Sequence, residues 1–167
     1  VGTIPPRAVT DRAIKYGRQK RESQRLVVHY MQPHFPSLAH PELGSELQPD
    51  TDGWPASIWT RLENGEVTEE TVWEAYRSNL EFVIDEVELL LNNIDAKKVL
   101  ITSDHGNGFG ESGIYGHSNV SDPFNDAIRK VPWIRSTATD NHTYEPKSYD
   151  KDETGEINDK LEALGYI

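Results

Sequence analysis

A long helical repeat between two apolar runs is the feature of this sequence that most restricts its fold. Over residues 68–93, apolar side chains recur at helical spacing and charged side chains occupy the other positions, which predicts one amphipathic helix. Thr68, followed by two glutamates, is a suitable N-cap with acidic residues in the first turn. The flanking runs, Arg25–Met31 and Lys98–Asp104, are continuously apolar for most of their length, which predicts strands buried on both faces.

A strand, a helix and a second strand in this order form a crossover unit, so we expect an α/β fold with a mostly parallel sheet and helices on both faces. Val131–Ile134 is a candidate third strand, and Pro132 favours an edge or strand-start position. Residues 37–65 are rich in turn-forming residues and are expected to form a long surface loop with one helical turn. Residues 137–158 have a similar composition, and a short helix is expected at Asp159–Leu164.

The composition excludes several classes of partner and site. The formal net charge is −11 and the pI is near 4.9, so we expect no nucleic-acid partner and no anionic membrane partner. The chain contains no cysteine, which excludes a disulfide scaffold, a thiolate zinc site and a cysteine nucleophile. No apolar stretch approaches the roughly 20 residues that span a bilayer. Together with the lack of a secretion signal, these features favour a cytoplasmic location.

Candidate chemistry is found where the two predicted strands end. Asp104 and His105 close the second strand, and His34 follows the first. Ligands of open α/β sheets bind at the carboxyl ends of the strands, so these side chains are expected at one edge. A neighbouring carboxylate and imidazole can bind one divalent ion, and a histidine beside them can protonate a leaving-group oxygen.

His117 lies in a glycine-rich loop that can fold back over the Asp104–His105 pair. Its side chain is expected to hold a sulfate or phosphate oxygen or to complete a metal shell. His29 is interpreted as a hydrogen-bonded core histidine within the first strand. Each histidine alone is more often inert, but three segments that converge on one edge favour a metal-assisted hydrolase.

The order and spacing of these motifs resemble the sulfatase branch of the alkaline phosphatase superfamily. Thr102–Gly106 (TSDHG) with the following glycine-rich loop is similar to the metal-binding strand of that branch. His29–Pro36 (HYMQPHFP) is similar to its substrate-histidine segment, and Arg129–Ile134 (RKVPWI) to the strand that follows. The resemblance extends from about Arg25 to the C-terminus and includes the closing Leu161–Tyr166 (LEALGY).

The resemblance implies an alkaline phosphatase-like three-layer sandwich, here incomplete, and a hydrolase of sulfuric or phosphoric esters. It implies that Asp104 and His105 bind a divalent ion (Mn, Zn, Mg or Ca), that His34 contacts the ester and its leaving group, and that His117 holds the transferred anion. The expected substrate is a small-molecule or glycan sulfate or phosphate ester.

Two parts of the family pattern have no counterpart here. The nucleophile and the acidic pair that completes the metal shell belong to an N-terminal half in that family, and no residue of this chain matches them. We therefore expect residues 1–24 to be a polar extension or linker and residues 25–167 to be the C-terminal portion of the domain, inactive alone. Open sheet edges would favour completion by that half or self-association. A phosphoglycerol transferase or other phosphotransferase, and a non-catalytic scaffold or binding domain, are the alternatives.

Overall fold

The computed structural model describes residues 3–19, 25–45, 56–117 and 125–149. The chain forms two compact units. The first combines residues 1–32, 81–97 and 137–167, and the second combines residues 33–80 and 98–136. The α-helices are α1 (Pro6–Arg18), α2 (Ile58–Glu63), α3 (Glu69–Leu91) and α4 (Asp126–Arg129). The strands are β1 (Ala96–Thr102), β2 (Gly108–Phe109), β3 (Tyr115–Gly116) and β4 (Trp133–Ala138), and two short 3-10 turns cover Pro41–Leu43 and Glu111–Gly113.

Helix α1 supplies the core of the first unit. Proline at the first helical position and basic residues in the last turn suit the two ends of this helix. Its fully buried Ile14 packs with Leu90 of α3 and with the half-buried Ile94. The carboxylate of Asp11, on the same helix, is also fully buried and accepts a hydrogen bond from the hydroxyl of Tyr144. The segment that the sequence analysis interpreted as an extension or linker therefore contains a packed helix.

The second unit is built around an aromatic and aliphatic core. Ser57 caps helix α2, and its hydroxyl oxygen accepts a hydrogen bond from the amide of Thr60. This short helix buries Trp59 against Phe35 and Phe109, with ring centroids 5.8 Å and 5.2 Å apart. The buried members of this core are Phe35, Leu43, Ile58, Trp59, Leu62, Val72, Ala75 and Phe109. The predicted surface loop over residues 37–65 thus contributes four of these eight core residues.

The predicted helix over residues 68–93 is confirmed by α3. The Thr68 hydroxyl oxygen accepts a hydrogen bond from the amide of Thr71, so the predicted N-cap is present. Val72, Val83 and Leu90 are buried as the helical spacing requires, whereas Leu80 is 40% exposed.

The predicted parallel sheet with helices on both faces is wrong. Within the described part of the chain there are four short strands, which form two small antiparallel sheets of two strands each. Strand β1 pairs with β4, and β2 pairs with β3 through Gly108 opposite Gly116. The alkaline phosphatase-like three-layer sandwich is therefore not what these residues form.

The strand predicted at Arg25–Met31 is also wrong, because this segment forms no strand. Val27 is 87% exposed, and His29 is exposed rather than part of a core. Strands are present near the other two predicted positions, as β1 and β4, although Leu100 of β1 is 44% exposed. The helix predicted at Asp159–Leu164 lies outside the described residues. In the described part of the chain, no helix is long and apolar enough to cross a membrane.

Candidate functional site

A buried asparagine of α3 fixes the segment that carries His34. The Asn79 side chain is fully buried, and its Oδ1 accepts a hydrogen bond of 2.8 Å from the amide of Leu38. Its Nδ2 donates to the carbonyl oxygen of His34 at 3.0 Å and lies 3.3 Å from the carbonyl oxygens of Pro33 and Pro36. Proline has no amide hydrogen, so this segment cannot form a regular ladder, and the asparagine satisfies its carbonyl groups instead.

Asp104 and His105 follow β1 and form a local network. The amide of His105 donates to Asp104 Oδ1 at 3.0 Å, and His105 Nδ1 lies 2.9 Å from the carbonyl oxygen of Gly106. Asp104 Oδ2 lies 3.8 Å from His105 Nε2. The carboxylate is 63% exposed, whereas the imidazole is 27% exposed. The imidazole is thus turned inward, whereas the carboxylate faces solvent.

Helix α4 holds the turn that follows this pair. The amide of Gly106 donates to the carbonyl oxygen of Ile128 at 2.8 Å. A Cβ atom at position 106 would lie 2.0 Å from the carbonyl oxygen of Ala127, so only glycine fits there without a backbone shift. The close approach of two backbones therefore determines where His105 leaves the end of β1.

His117 is held at the end of the β2–β3 hairpin. Gly116 has a φ of +70°, and its backbone lies against Trp59, since an added Cβ would be 2.7 Å from the indole Cδ1. His117 Nδ1 lies 2.9 Å from Oδ1 of the buried Asn107. Asn107 Nδ2 donates in turn to the hydroxyl of Tyr76 on α3 at 3.0 Å. Core aromatic residues and a hydrogen-bond relay thus position this histidine.

The three histidines meet within the second unit. The ring of His34 lies edge-on to those of His105 and His117, with centroids 5.3 Å and 5.0 Å apart. The rings of His105 and His117 are 4.2 Å apart and tilted by 31°. One ligand atom of each residue lies within 4.8 Å of the other two, and all three residues are half-buried.

These donors fit a divalent transition metal. Imidazole nitrogen is a common zinc ligand, and a tetrahedral ion with nitrogen ligands at 2.0–2.1 Å holds them about 3.3 Å apart. Modest side-chain rotations would close the observed separation of up to 4.8 Å. The pair of Asp104 Oδ2 and His105 Nε2, 3.8 Å apart, is also compatible with a shared ion.

The structure therefore brings together His34, His105 and His117, and Asp104 lies beside His105. His40 and His142 are not members of this group, and they lie 3.3 Å and 3.6 Å from the carboxylates of Glu42 and Asp140.

Sequence reasoning missed the residues that support the histidines. Asn79 lies seven residues after Val72 and four before Val83, on the apolar face of α3, and an asparagine on such a face is the signal that could have identified it. Asn107 lies between two glycines in the turn after β1, and Tyr76 occupies an apolar position of α3, so neither gives such a signal.

No protein-family model, curated protein or solved structure matches this chain. The sulfatase-like motifs therefore remain a resemblance, and the function is argued from the geometry.

Proposed function

We propose that this chain supplies part of the active site of a metal-dependent hydrolase of sulfuric or phosphoric esters. The observation that carries the proposal is the convergence of His34, His105 and His117 from three separate segments, with Asp104 beside His105. Such a group of imidazoles and a carboxylate combines metal ligands with proton donors and acceptors. The resemblance of these segments to sulfatase motifs adds support, because both the residue types and their order agree.

The roles of the side chains follow from the chemistry of the ester. A divalent ion at this site would act as a Lewis acid on the sulfuryl or phosphoryl oxygens. In the assignment that the sequence favours, Asp104 and His105 hold the ion. His34 then donates a proton to the departing oxygen, and His117 donates a hydrogen bond to the transferred anion.

The hydrogen bonds around the histidines are suited to these roles. The segment of His34 is braced by Asn79, and His117 is braced by Asn107. Rings that are already held in place lose little conformational freedom when a substrate binds. The nucleophile is not assigned to a residue of this chain, and we propose that an N-terminal half completes the site.

Binding of the transferred anion is the appropriate test, because it does not require the nucleophile. Isothermal titration of sulfate, phosphate and vanadate into the chain, with and without a saturating divalent ion, measures it directly. We expect anion binding only when the ion is present. The affinity should fall by at least about tenfold in His105→Ala and stay unchanged in the control His40→Ala, whose side chain is exposed.

The two enzyme classes and the scaffold hypothesis give different outcomes. A preference for sulfate supports a sulfatase, and a preference for phosphate or vanadate supports phosphoryl chemistry. Absence of anion binding at a saturated metal site would refute the hydrolase proposal and favour a non-catalytic domain.

A further inference from the structure

The positions of the three histidines indicate which residues bind the ion. Among the described residues, the group of potential ligands within 4.8 Å of one another consists of His34, His105 and His117 alone. Asp104 is not a member of this group: its Oδ2 lies 3.8 Å from His105 Nε2, and its carboxylate is 63% exposed. The geometry therefore differs from the Asp104–His105 pair that the sequence favours.

The hydrogen bonds of two of these histidines determine which ring nitrogen carries a lone pair. Gly106 and Asn107 each present an oxygen to a Nδ1 atom, at 2.9 Å in both cases. A backbone carbonyl oxygen only accepts hydrogen bonds, so Nδ1 is the protonated nitrogen of His105, and with Oδ1 of Asn107 facing it the same holds for Nδ1 of His117. The lone pair is then on Nε2 of both rings.

The Asn107 amide places Nδ2 against the hydroxyl of Tyr76 and Oδ1 against Nδ1 of His117. Metal-binding histidines typically donate their other ring N–H group to a carbonyl or carboxylate oxygen, which fixes the tautomer and raises the basicity of the ligand. Two of the three histidines already have this arrangement.

We infer that His34, His105 and His117 together bind one ion of the zinc type, with Asp104 outside the ligand set. Three imidazoles favour Zn²⁺ or Co²⁺, because the hard ions Mg²⁺ and Ca²⁺ prefer oxygen ligands. A tetrahedral ion held by three protein ligands retains one open position, as catalytic zinc sites do. This inference rests on the proposed function and names the ion and its ligands. It replaces the assignment that the sequence favours, because His34 and His117 would then bind the ion and not the ester.

Titration of Co²⁺ into the metal-free chain, followed by visible absorbance, tests the inference without a substrate. A tetrahedral site gives intense d–d bands, and added Zn²⁺ should remove them. We expect one ion per chain, with an affinity at least about 100-fold lower in His34→Ala and in His117→Ala. His40→Ala should bind as the wild type does, and Asp104→Asn should lose no more than about tenfold, as expected for a neighbour of a ligand.

Circular dichroism and urea unfolding of each variant establish that it is folded, and His34→Asn and His117→Asn serve as milder replacements if an alanine variant is not. Loss of binding in Asp104→Asn with retention in His34→Ala would overturn the inference in favour of the Asp104–His105 pair. No tetrahedral Co²⁺ spectrum in the folded wild type would mean that the three rings only stack. Failure of the hydrolase proposal looks different, since Co²⁺ would then bind without creating any affinity for the anions.

Discussion

Replacement of Asn79 by alanine should destabilise the second unit and loosen the segment that carries His34. The side chain is fully buried and bonds to the amide of Leu38 and to carbonyl oxygens of the His34 segment. Its amide has two hydrogens and its Oδ1 accepts one bond, which makes about three hydrogen bonds worth about 1 kcal/mol each. We therefore expect a loss of about 3 kcal/mol in the free energy of unfolding, a large part of the stability of a typical domain.

Urea unfolding measures this loss directly, and an exposed asparagine supplies a matched control. The Asn92 side chain is exposed, donates to the carbonyl oxygen of Glu88 at 2.9 Å and accepts from Asn141 Nδ2 at 3.3 Å. Because both bonds are exposed to solvent, Asn92→Ala should change the free energy of unfolding by less than about 0.5 kcal/mol. Cobalt affinity should also fall in Asn79→Ala, because the position of His34 depends on this brace. Ile14→Ala, at a fully buried position of the first unit, should lose about 2–5 kcal/mol without lowering the cobalt affinity.

Two results would refute the reasoning. If Asn79→Ala unfolds at the same urea concentration as Asn92→Ala, the bonds to the His34 segment contribute nothing to stability. If Asn79→Ala and Ile14→Ala lower the cobalt affinity equally, the brace has no specific effect on the site.

Three further substitutions have consequences that the structure determines. Gly116→Ala should lower the free energy of unfolding by about 2–4 kcal/mol, because position 116 has a φ of +70° and an added Cβ would lie 2.7 Å from Trp59. An unchanged midpoint of urea unfolding would contradict this. The hydrogen bond from Arg18 lowers the pKa of Asp140 in the folded protein. The ion pair therefore adds its full stability above the pKa of the unfolded state, about 3.9, and this stability is lost as the pH falls through the folded-state pKa. Asp140→Asn should therefore flatten the stability profile between about pH 5 and 2, and an unchanged acid profile would count against the ion pair. Burial raises the pKa of Tyr149 to about 12, so the contribution of this tyrosine to stability is lost as the pH rises from about 10 to 12. Tyr149→Phe should remove this contribution to the alkaline loss of stability, which thermal unfolding measured at each pH would show.

Local patterns in the sequence predicted individual elements well. Helix α3 was predicted from its spacing and from the cap at Thr68, and β1 from the apolar run that begins near Lys98. Both signals depend on residues close in sequence, so neither requires knowledge of the rest of the fold.

The arrangement of the strands could not be predicted in the same way. An apolar run indicates a strand but does not identify its partner, and β1 pairs with β4 rather than with Arg25–Met31. The prediction of a parallel crossover assumed that consecutive strands are neighbours, which is a tendency and not a rule. Val27, at 87% exposure, shows that an apolar run need not be buried in the fold that it belongs to.

The histidines of the site could be predicted from the sequence, but the contacts that bring them together could not. His34, His105 and His117 were expected at one sheet edge, and they do meet, although the predicted sheet is absent from the described residues. Their meeting depends instead on the contacts of Asn79 and Asn107, which no short motif reveals.

Helix α3 shows why such contacts are difficult to predict from a sequence and which sequence feature indicates that they exist. Its apolar face includes two buried polar residues seven positions apart, Asn79 and Glu86, and a third, Asn93, follows at the same interval just beyond the end of the helix. Each bonds to a segment distant in sequence: Asn79 to the His34 segment, Glu86 to Arg7 of α1 and Asn93 to Arg18. Unpaired buried polar groups are costly, so a regular polar position on an apolar helix face implies a partner, although it does not name one. Such a position is therefore where a search for positioning residues should begin.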